Sequence, residues 1–182
     1  MEKVFPTETL AGPRIELRKY DISHAAAMFA AIDGDRARLR SFLPWVDQIK
    51  APADEEAYVR SSALQWMEGA LFDFGIFGRA DGSYLGNIGV HSISWPDDRA
   101  ELGYWLSSAG EGQGLMAEAV GLLEAELFRI GFHRIEIRCN VLNEKSAAVP
   151  KRCGYELEGT LRQDTIERGA RRNTMIWGKV RG

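Results

Sequence analysis

Leu102-Gly103-Tyr104-Trp105-Leu106-Ser107-Ser108-Ala109-Gly110-Glu111-Gly112-Gln113-Gly114-Leu115-Met116-Ala117-Glu118-Ala119 is the stretch on which the fold turns. Ala100 to Leu106 reads as a strand, and a glycine-rich turn leads from it directly into helical spacing. Leu115, Ala119, Leu122, Leu123, Leu127 and Ile130 recur on one face, with Glu118, Glu124, Glu126 and Arg129 between them. Gly131 is the expected stop. Such a turn gathers unpaired backbone N–H groups and the positive end of a helix around one concavity, which is what a phosphate or pyrophosphate requires. Glycines at 110, 112 and 114 let a ligand approach the backbone with no Cβ in the way.

Several readings of this turn compete. A nucleoside-triphosphate loop needs Lys-Ser/Thr after its last glycine, and Leu115-Met116 stands there instead. Gly112-x-Gly114-x-x-Ala117 fits the short dinucleotide fingerprint, but that motif belongs near the start of a doubly wound domain and wants an acid ending the next strand. Here the motif falls in the second half of the chain, and the next strand ends in Asn140-Val141. A turn that binds nothing and a loop for the pyrophosphate of an acyl-coenzyme A are the other readings.

Outward from the turn, the chain is strand-rich before it and mixed after it. Arg14-Ile15-Glu16-Leu17-Arg18 alternates with period two, after a loose lead-in over residues 1–13. Ser23 is placed to cap a helix over roughly 24–32, and Pro52 to open one that runs to Gly69, with Asp54, Glu55 and Glu56 at its positive end. Leu71–Phe77 and Tyr84–Ile93 flank an Asp81-Gly82 hairpin signal. Arg134–Val141 is a strand with Ile135, Ile137 and Cys139 on one face. A helix over about 144–153 follows, then strands at Tyr155–Leu161 and Thr174–Val180. The order predicts an α/β or α+β domain around one mixed sheet.

Composition bounds the rest. The chain has 182 residues, 45% hydrophobic, enough for one domain with its own core. A net charge of −3 argues against a protein built mainly to neutralise nucleic-acid phosphates. No stretch approaches the roughly 18 apolar residues of a membrane span, and Met1-Glu2-Lys3-Val4-Phe5-Pro6 has no signal-peptide core. The two cysteines make no disulfide framework, so a cytoplasmic address with both thiols reduced is expected. His24, His91 and His133 are too dispersed to suggest a metal site, so none is expected.

Asn143-Glu144-Lys145-Ser146-Ala147-Ala148-Val149-Pro150-Lys151-Arg152-Cys153-Gly154-Tyr155-Glu156-Leu157-Glu158-Gly159 decides among the readings of the turn. It closely resembles the Asn-x-x-Ser…Gly-Phe/Tyr-x-x-x-Gly signature of the GNAT superfamily of acetyltransferases. Ala148-Val149-Pro150 and Glu158-Gly159 are most similar to the branch acting on ribosomal-protein alanine and serine N-termini. Arg14–Arg18, Leu43-Pro44-Trp45, Leu85-Gly86-Asn87-Ile88-Gly89 and Ala100–Leu106 extend the resemblance along nearly the whole chain, in the right order.

That resemblance implies a single GNAT-like domain over residues 1–182, with about 10–180 as folded core. It implies a strongly twisted mixed sheet of about seven strands and about four helices, splayed between the fourth and fifth strands to hold acetyl-CoA. Backbone groups of Trp105, Leu106 and Ser107 would bind the pantetheine arm, and the N–H groups of Glu111, Gly112, Gln113, Gly114, Leu115 and Met116 the pyrophosphate. Asn143 would contact the coenzyme near its thioester, and Ser146 would meet the departing thiolate; both are also natural helix caps. The superfamily carries Gln or Arg where Ala109 stands, which touches one side-chain contact and not the loop.

The acceptor amine must be neutral to attack. An α-amine titrates near 7.7–8.0 and a lysine near 10.4, so removing the proton costs roughly 3.4 kcal/mol less for the α-amine. A carboxylate acting through water suffices, and Glu101 is the candidate, with Glu158, Asp164 and Glu167 as substitutes. Its other reading is a surface carboxylate paired with Arg99 or a neighbour. Phe42, Trp45 and Tyr58 could line the acceptor's mouth, or serve as core. Arg168, Arg171 and Arg172 around Asn173 make the last hairpin basic. The expectation is an N-acetyltransferase acting on a protein or peptide N-terminus such as a ribosomal protein's, by direct attack in a ternary complex. Small-molecule amines (polyamines, amino acids, aminoglycosides) and a non-catalytic acetyl-CoA sensor are the rivals. A homodimer is plausible by the same resemblance.

Overall fold

The computed structural model describes residues 3–182; Met1 and Glu2, at the head of the expected lead-in, lie outside the described residues. The strands are β1 (Thr9–Ala11), β2 (Ile15–Lys19), β3 (Phe72–Gly78), β4 (Tyr84–Ser94), β5 (Arg99–Leu106), β6 (Arg134–Asn140), β7 (Glu156–Glu167) and β8 (Ala170–Val180). The α-helices are α1 (Ala25–Gly34), the single turn α2 (Arg36–Leu39), α3 (Pro52–Glu68), α4 (Leu115–Arg129) and α5 (Glu144–Arg152). The strands form one sheet in the order β1-β2-β3-β4-β5-β6-β8-β7. This is a mixed α/β domain around one sheet, as expected, with one strand and one helix more than expected.

The only parallel pair among the described strands is β5–β6, the pair joined by α4. A crossover helix is how two neighbouring strands come to run the same way. Their ladder covers only Arg99↔Arg134 to Leu102↔Ile137. Beyond it β5 stays paired with β4 as far as Leu106, while β6 goes on to Asn140 beside β8. Here the sheet splays. The short β1 shifts the count, so the gap lies between the fifth and sixth strands. Past Leu102, the β6-facing edge of β5 has no strand partner.

Helix α4 seals one face of the sheet with the stripe read from its spacing: Leu115, Ala119, Leu123, Leu127 and Ile130 are buried against β-strand residues such as Phe74, Ile88, Leu102 and Ile135. Each such leucine contributes about 1.5–3 kcal/mol of apolar burial. The other face carries α1 and α3, with Met28 and Val59 packed on Tyr20. Asp21, rather than Ser23, caps the chain before α1, accepting from Ser23 N–H at 2.9 Å. The final hairpin is longer than its pattern suggested, because nearly every β7 residue is exposed and alternation is lost.

Candidate active site

The turn after β5 is built as its glycines require. Gly112 and Gly114 both lie at φ +74°, in the left-handed region where side chains are strained. A Cβ on Gly112 would meet nothing within 4 Å, so the space above it is open. Gly110 differs: a Cβ there would come 3.3 Å from Leu106 Cδ2, making it a packing glycine. Among the described residues, no N–H of Gly112, Gln113, Gly114, Leu115 or Met116 donates to a protein acceptor. These five free donors sit at the positive end of the 15-residue α4, and they suit an anion. The cradle fits a coenzyme pyrophosphate.

Side chains not foreseen from the sequence hold this cradle. The Arg14 guanidinium donates to Glu118 at 2.7 Å and to the Gln113 carbonyl at 2.7 Å, while Glu118 also accepts from the Arg14 and Ile15 N–H groups. Those donors keep the Glu118 carboxyl below the usual range despite some burial. Glu111 is held between Arg38 (2.6 Å) and Lys145 (2.7 Å). Arg38 also donates to the Leu106 carbonyl at 2.7 Å, and Asp35 accepts from Arg38 and from Ser108 N–H. Ala109, where the superfamily has a longer side chain, is exposed and offers its carbonyl to Gln113 Nε2 at 2.9 Å.

Of the expected pantetheine strand, Ser107 is buried, its N–H given to Leu85 and its carbonyl accepting from Gly110. Trp105 projects onto the α1–α3 face, 6.3 Å from Trp45 and 6.1 Å from Tyr84 between ring centres. Trp45 therefore reaches the strand. Phe42 is half-buried on the same connection. Tyr58 does not join this aromatic set; it is 41% exposed and its hydroxyl donates to Asp73 at 2.5 Å.

On the far side of the splay, Asn143 caps α5 by accepting from Ser146 N–H at 3.1 Å. The Ser146 carbonyl accepts from the Tyr104 hydroxyl at 3.0 Å, which ties α5 back to β5 across the gap. The Cys139 thiol lies beside Ser146 and Trp177, and burial pushes it up. Both cysteines are free, Cys139 buried and Cys153 half-buried.

Glu101 faces away from α4, into a cleft of about 160 Å³ lined by Ser92, Arg99, Ala100, Glu101, Glu136 and Arg138. Its partners are Arg138 at 3.6 Å and His91 at 3.9 Å; Arg99 turns instead to Asp97 and Glu136. Burial raises the Glu101 carboxyl; His91 and Arg138 pull it back, and Glu136 pushes it further up. A partly buried carboxylate raised toward neutrality is suited to accept a proton. Glu158 is pinned by the Arg134 guanidinium and held low, and Glu167 accepts from Asn140. Asn173 accepts from Gln163 N–H at 2.9 Å and so supports the irregular β7. Among the described residues, no group of three or more His, Cys, Asp or Glu is arranged to hold a metal, and no helix is long and apolar enough to cross a membrane.

The family pattern described as "Acetyltransferase (GNAT) domain" matches residues 14–156. The chain belongs to this family of acetyltransferases and is an acyltransferase. It is 26% identical over 176 residues to the ribosomal-protein-serine acetyltransferase of Escherichia coli (strain K12), covering 96% of this chain and 97% of that one. A ribosomal L7/L12 alpha-N-protein acetyltransferase solved with coenzyme A superposes with a TM-score of 0.90 at 26% identity, covering 95% of this chain and 98% of that one. The Salmonella typhimurium acetyltransferase that modifies the N-terminal serine of L7/L12 gives 0.87 at 26% identity, over 96% and 100%. The protein is thus a GNAT enzyme of acetyl transfer related to the ribosomal-protein acetyltransferases.

Proposed function

We propose that the chain transfers acetyl from acetyl-CoA to the N-terminal α-amine of a protein or peptide such as a ribosomal protein, in the cytoplasm. The observation that carries this reading is the juxtaposition at the splay. Five free N–H groups stand at the start of α4 on one side of β5, and Glu101 lies on the other face of the same strand. On this reading Glu111–Met116 hold the pyrophosphate, and the stretch Trp105–Ser107, beyond the end of the β6 ladder, takes the pantetheine arm. Asn143 meets the coenzyme near its thioester. Ser146 returns a proton to the departing thiolate while Glu101 removes one from the amine through water. Trp45, Phe42 and Tyr58 border the acceptor's approach. The relatedness to enzymes acting on ribosomal-protein serine supports an α-amine over a lysine side chain.

Release of free coenzyme thiol, followed with peptides beginning in Ser or Ala, their N-acetylated counterparts, and a set of small amines, tests the reading. Turnover of the free peptides and none of the blocked ones is the expected result. Turnover of small amines alone would overturn it, and so would tight acetyl-CoA binding without turnover of any amine.

A further inference from the structure

Gly103, on β5, is a glycine for the sake of its neighbour. Its φ lies outside the left-handed region, so the backbone alone does not call for glycine there. A Cβ at this position would stand 2.8 Å from His91 Nε2 and 3.3 Å from its Cδ2. The His91 ring, reaching across from β4, lies where a side chain would otherwise project. His91 is paired with Glu101, two residues before Gly103 on the same face of β5, and its Nε2 is 3.9 Å from the Glu101 carboxylate. One imidazole nitrogen is thus over Gly103 and beside Glu101 at once.

The backbone after His91 is shaped to hold the ring there. The register of β4 on β5 shifts between His91 and Ser94, and Ser92 takes φ +51°, in the left-handed region. Such irregularities re-aim side chains, and here Ser92 Oγ comes to 3.2 Å from His91 Nδ1. With the ring proton on Nδ1 and the serine oxygen accepting it, Nε2 keeps its lone pair. The charged groups around the ring are Glu101, Arg138 at 3.6 Å from Glu101, Glu136 next to it on β6, and Asp73. The Asp73 carboxylate covers Gly89, the β4 partner of Gly103, and is already engaged by the Tyr58 hydroxyl. The His91 side chain is 40% exposed, so the ring is reachable from solvent.

On the reading above, a coenzyme arm running from the α4 turn back along Ser107, Leu106 and Trp105 brings its thioester end to Gly103. That is the first β5 residue past the β6 ladder. We propose that His91 takes the proton from the acceptor's ammonium and passes it to Glu101, in the place of an intervening water. This rests on the amine-acceptor reading and names the group that meets the amine. The ammonium N–H bond breaks as the Nε2–H bond forms, and the freed lone pair attacks the thioester carbonyl. The imidazolium, held by the Glu101 carboxylate, then hands its proton to it and so to the solvent of the cleft. An imidazole titrates closer to an α-amine than a carboxylate does, which makes the first transfer less uphill.

The test follows turnover of a Ser-initiated peptide at saturating acetyl-CoA by wild type, His91→Ala, His91→Gln and Gly103→Ala. Acetyl-CoA affinity comes from calorimetry and folding from thermal melts. His91→Ala should lower kcat by roughly 10²-fold or more, with coenzyme affinity and Tm near those of wild type. Imidazole added to the buffer should restore His91→Ala by roughly tenfold or more and leave wild type unchanged, which a packing role would not give. His91→Gln keeps the bulk without the base and should be as slow. Gly103→Ala pushes the ring off the strand and should also slow turnover; combined with His91→Ala it should cost nothing further. A folded His91→Gln variant that turns over at the wild-type rate overturns the proposal, as does a His91→Ala loss that imidazole does not restore. Should wild type acetylate only a small amine such as spermidine, the peptide reading fails while the same comparison with spermidine still decides the role of His91. A wild type that acetylates no amine overturns both.

Discussion

The Tyr104 hydroxyl donates to the Ser146 carbonyl at 3.0 Å, and it does so because Pro150 cannot. In a regular helix the N–H four residues on would satisfy that carbonyl, but Pro150 lies inside α5 and has no N–H. Tyr104 on β5 fills the vacancy and links the two arms of the splay. Tyr104→Phe should cost roughly 1–2 kcal/mol, about 2–6 °C in Tm. It should also lower kcat/KM if Ser146 acts at the thioester. Calorimetry and kinetics of the same variant check both; an unchanged Tm would show that the link carries nothing.

Gly110 and Gly112 should fail in different ways. Gly112→Val places a branched side chain at φ +74° over open space, so coenzyme affinity should fall at least tenfold with a smaller loss of stability. Gly110→Ala meets Leu106 instead and should lower Tm while leaving coenzyme affinity near normal. Calorimetric titration beside thermal melts separates the two.

Glu101→Gln should lower the rate by roughly 10²–10⁴-fold if Glu101 accepts the amine proton. The acidic limb of the pH–rate profile should vanish with it. A profile superposable on that of wild type would remove Glu101 from the chemistry.

Two carboxyls should shape stability against pH in opposite senses. Glu126 is brought down to about 2, first by the Arg129 guanidinium and then by the Thr7 N–H and hydroxyl. Its contribution is present above the ordinary glutamate range and is lost as pH falls from about 4.3 toward 2. Glu126→Gln should therefore lower Tm at pH 7 by more than at pH 3. Glu55 is raised to about 7, so its cost grows from about pH 4.3 to 7 and is complete above. Glu55→Gln should gain more at pH 8 than at pH 5.

What could be read in the chain beforehand was whatever is local. The α4 stripe, the left-handed glycines and the Asn143 cap each follow from neighbours within a turn or two, and the motif order carried the fold. Thr9–Ala11 escaped because three residues give no period, and β7 because exposure on both faces erases alternation. The supports of the site escaped for another reason. Arg38 meets Leu106, Arg14 meets Glu118, and Tyr58 meets Asp73 only after the sheet is assembled, and no spacing announces such pairs. Glu55 looked like an ordinary acid at a helix start; only its burial distinguishes it.

The clasp on Glu111 bears on how the two substrates affect one another. Its two cations come from opposite sides: Arg38 from α2, just before the connection carrying Phe42 and Trp45, and Lys145 from α5 beyond the splay. On the proposed reading, an anion on Gly112–Met116 would compete with Glu111 for both cations, and binding of either substrate would then change the affinity for the other by the same factor.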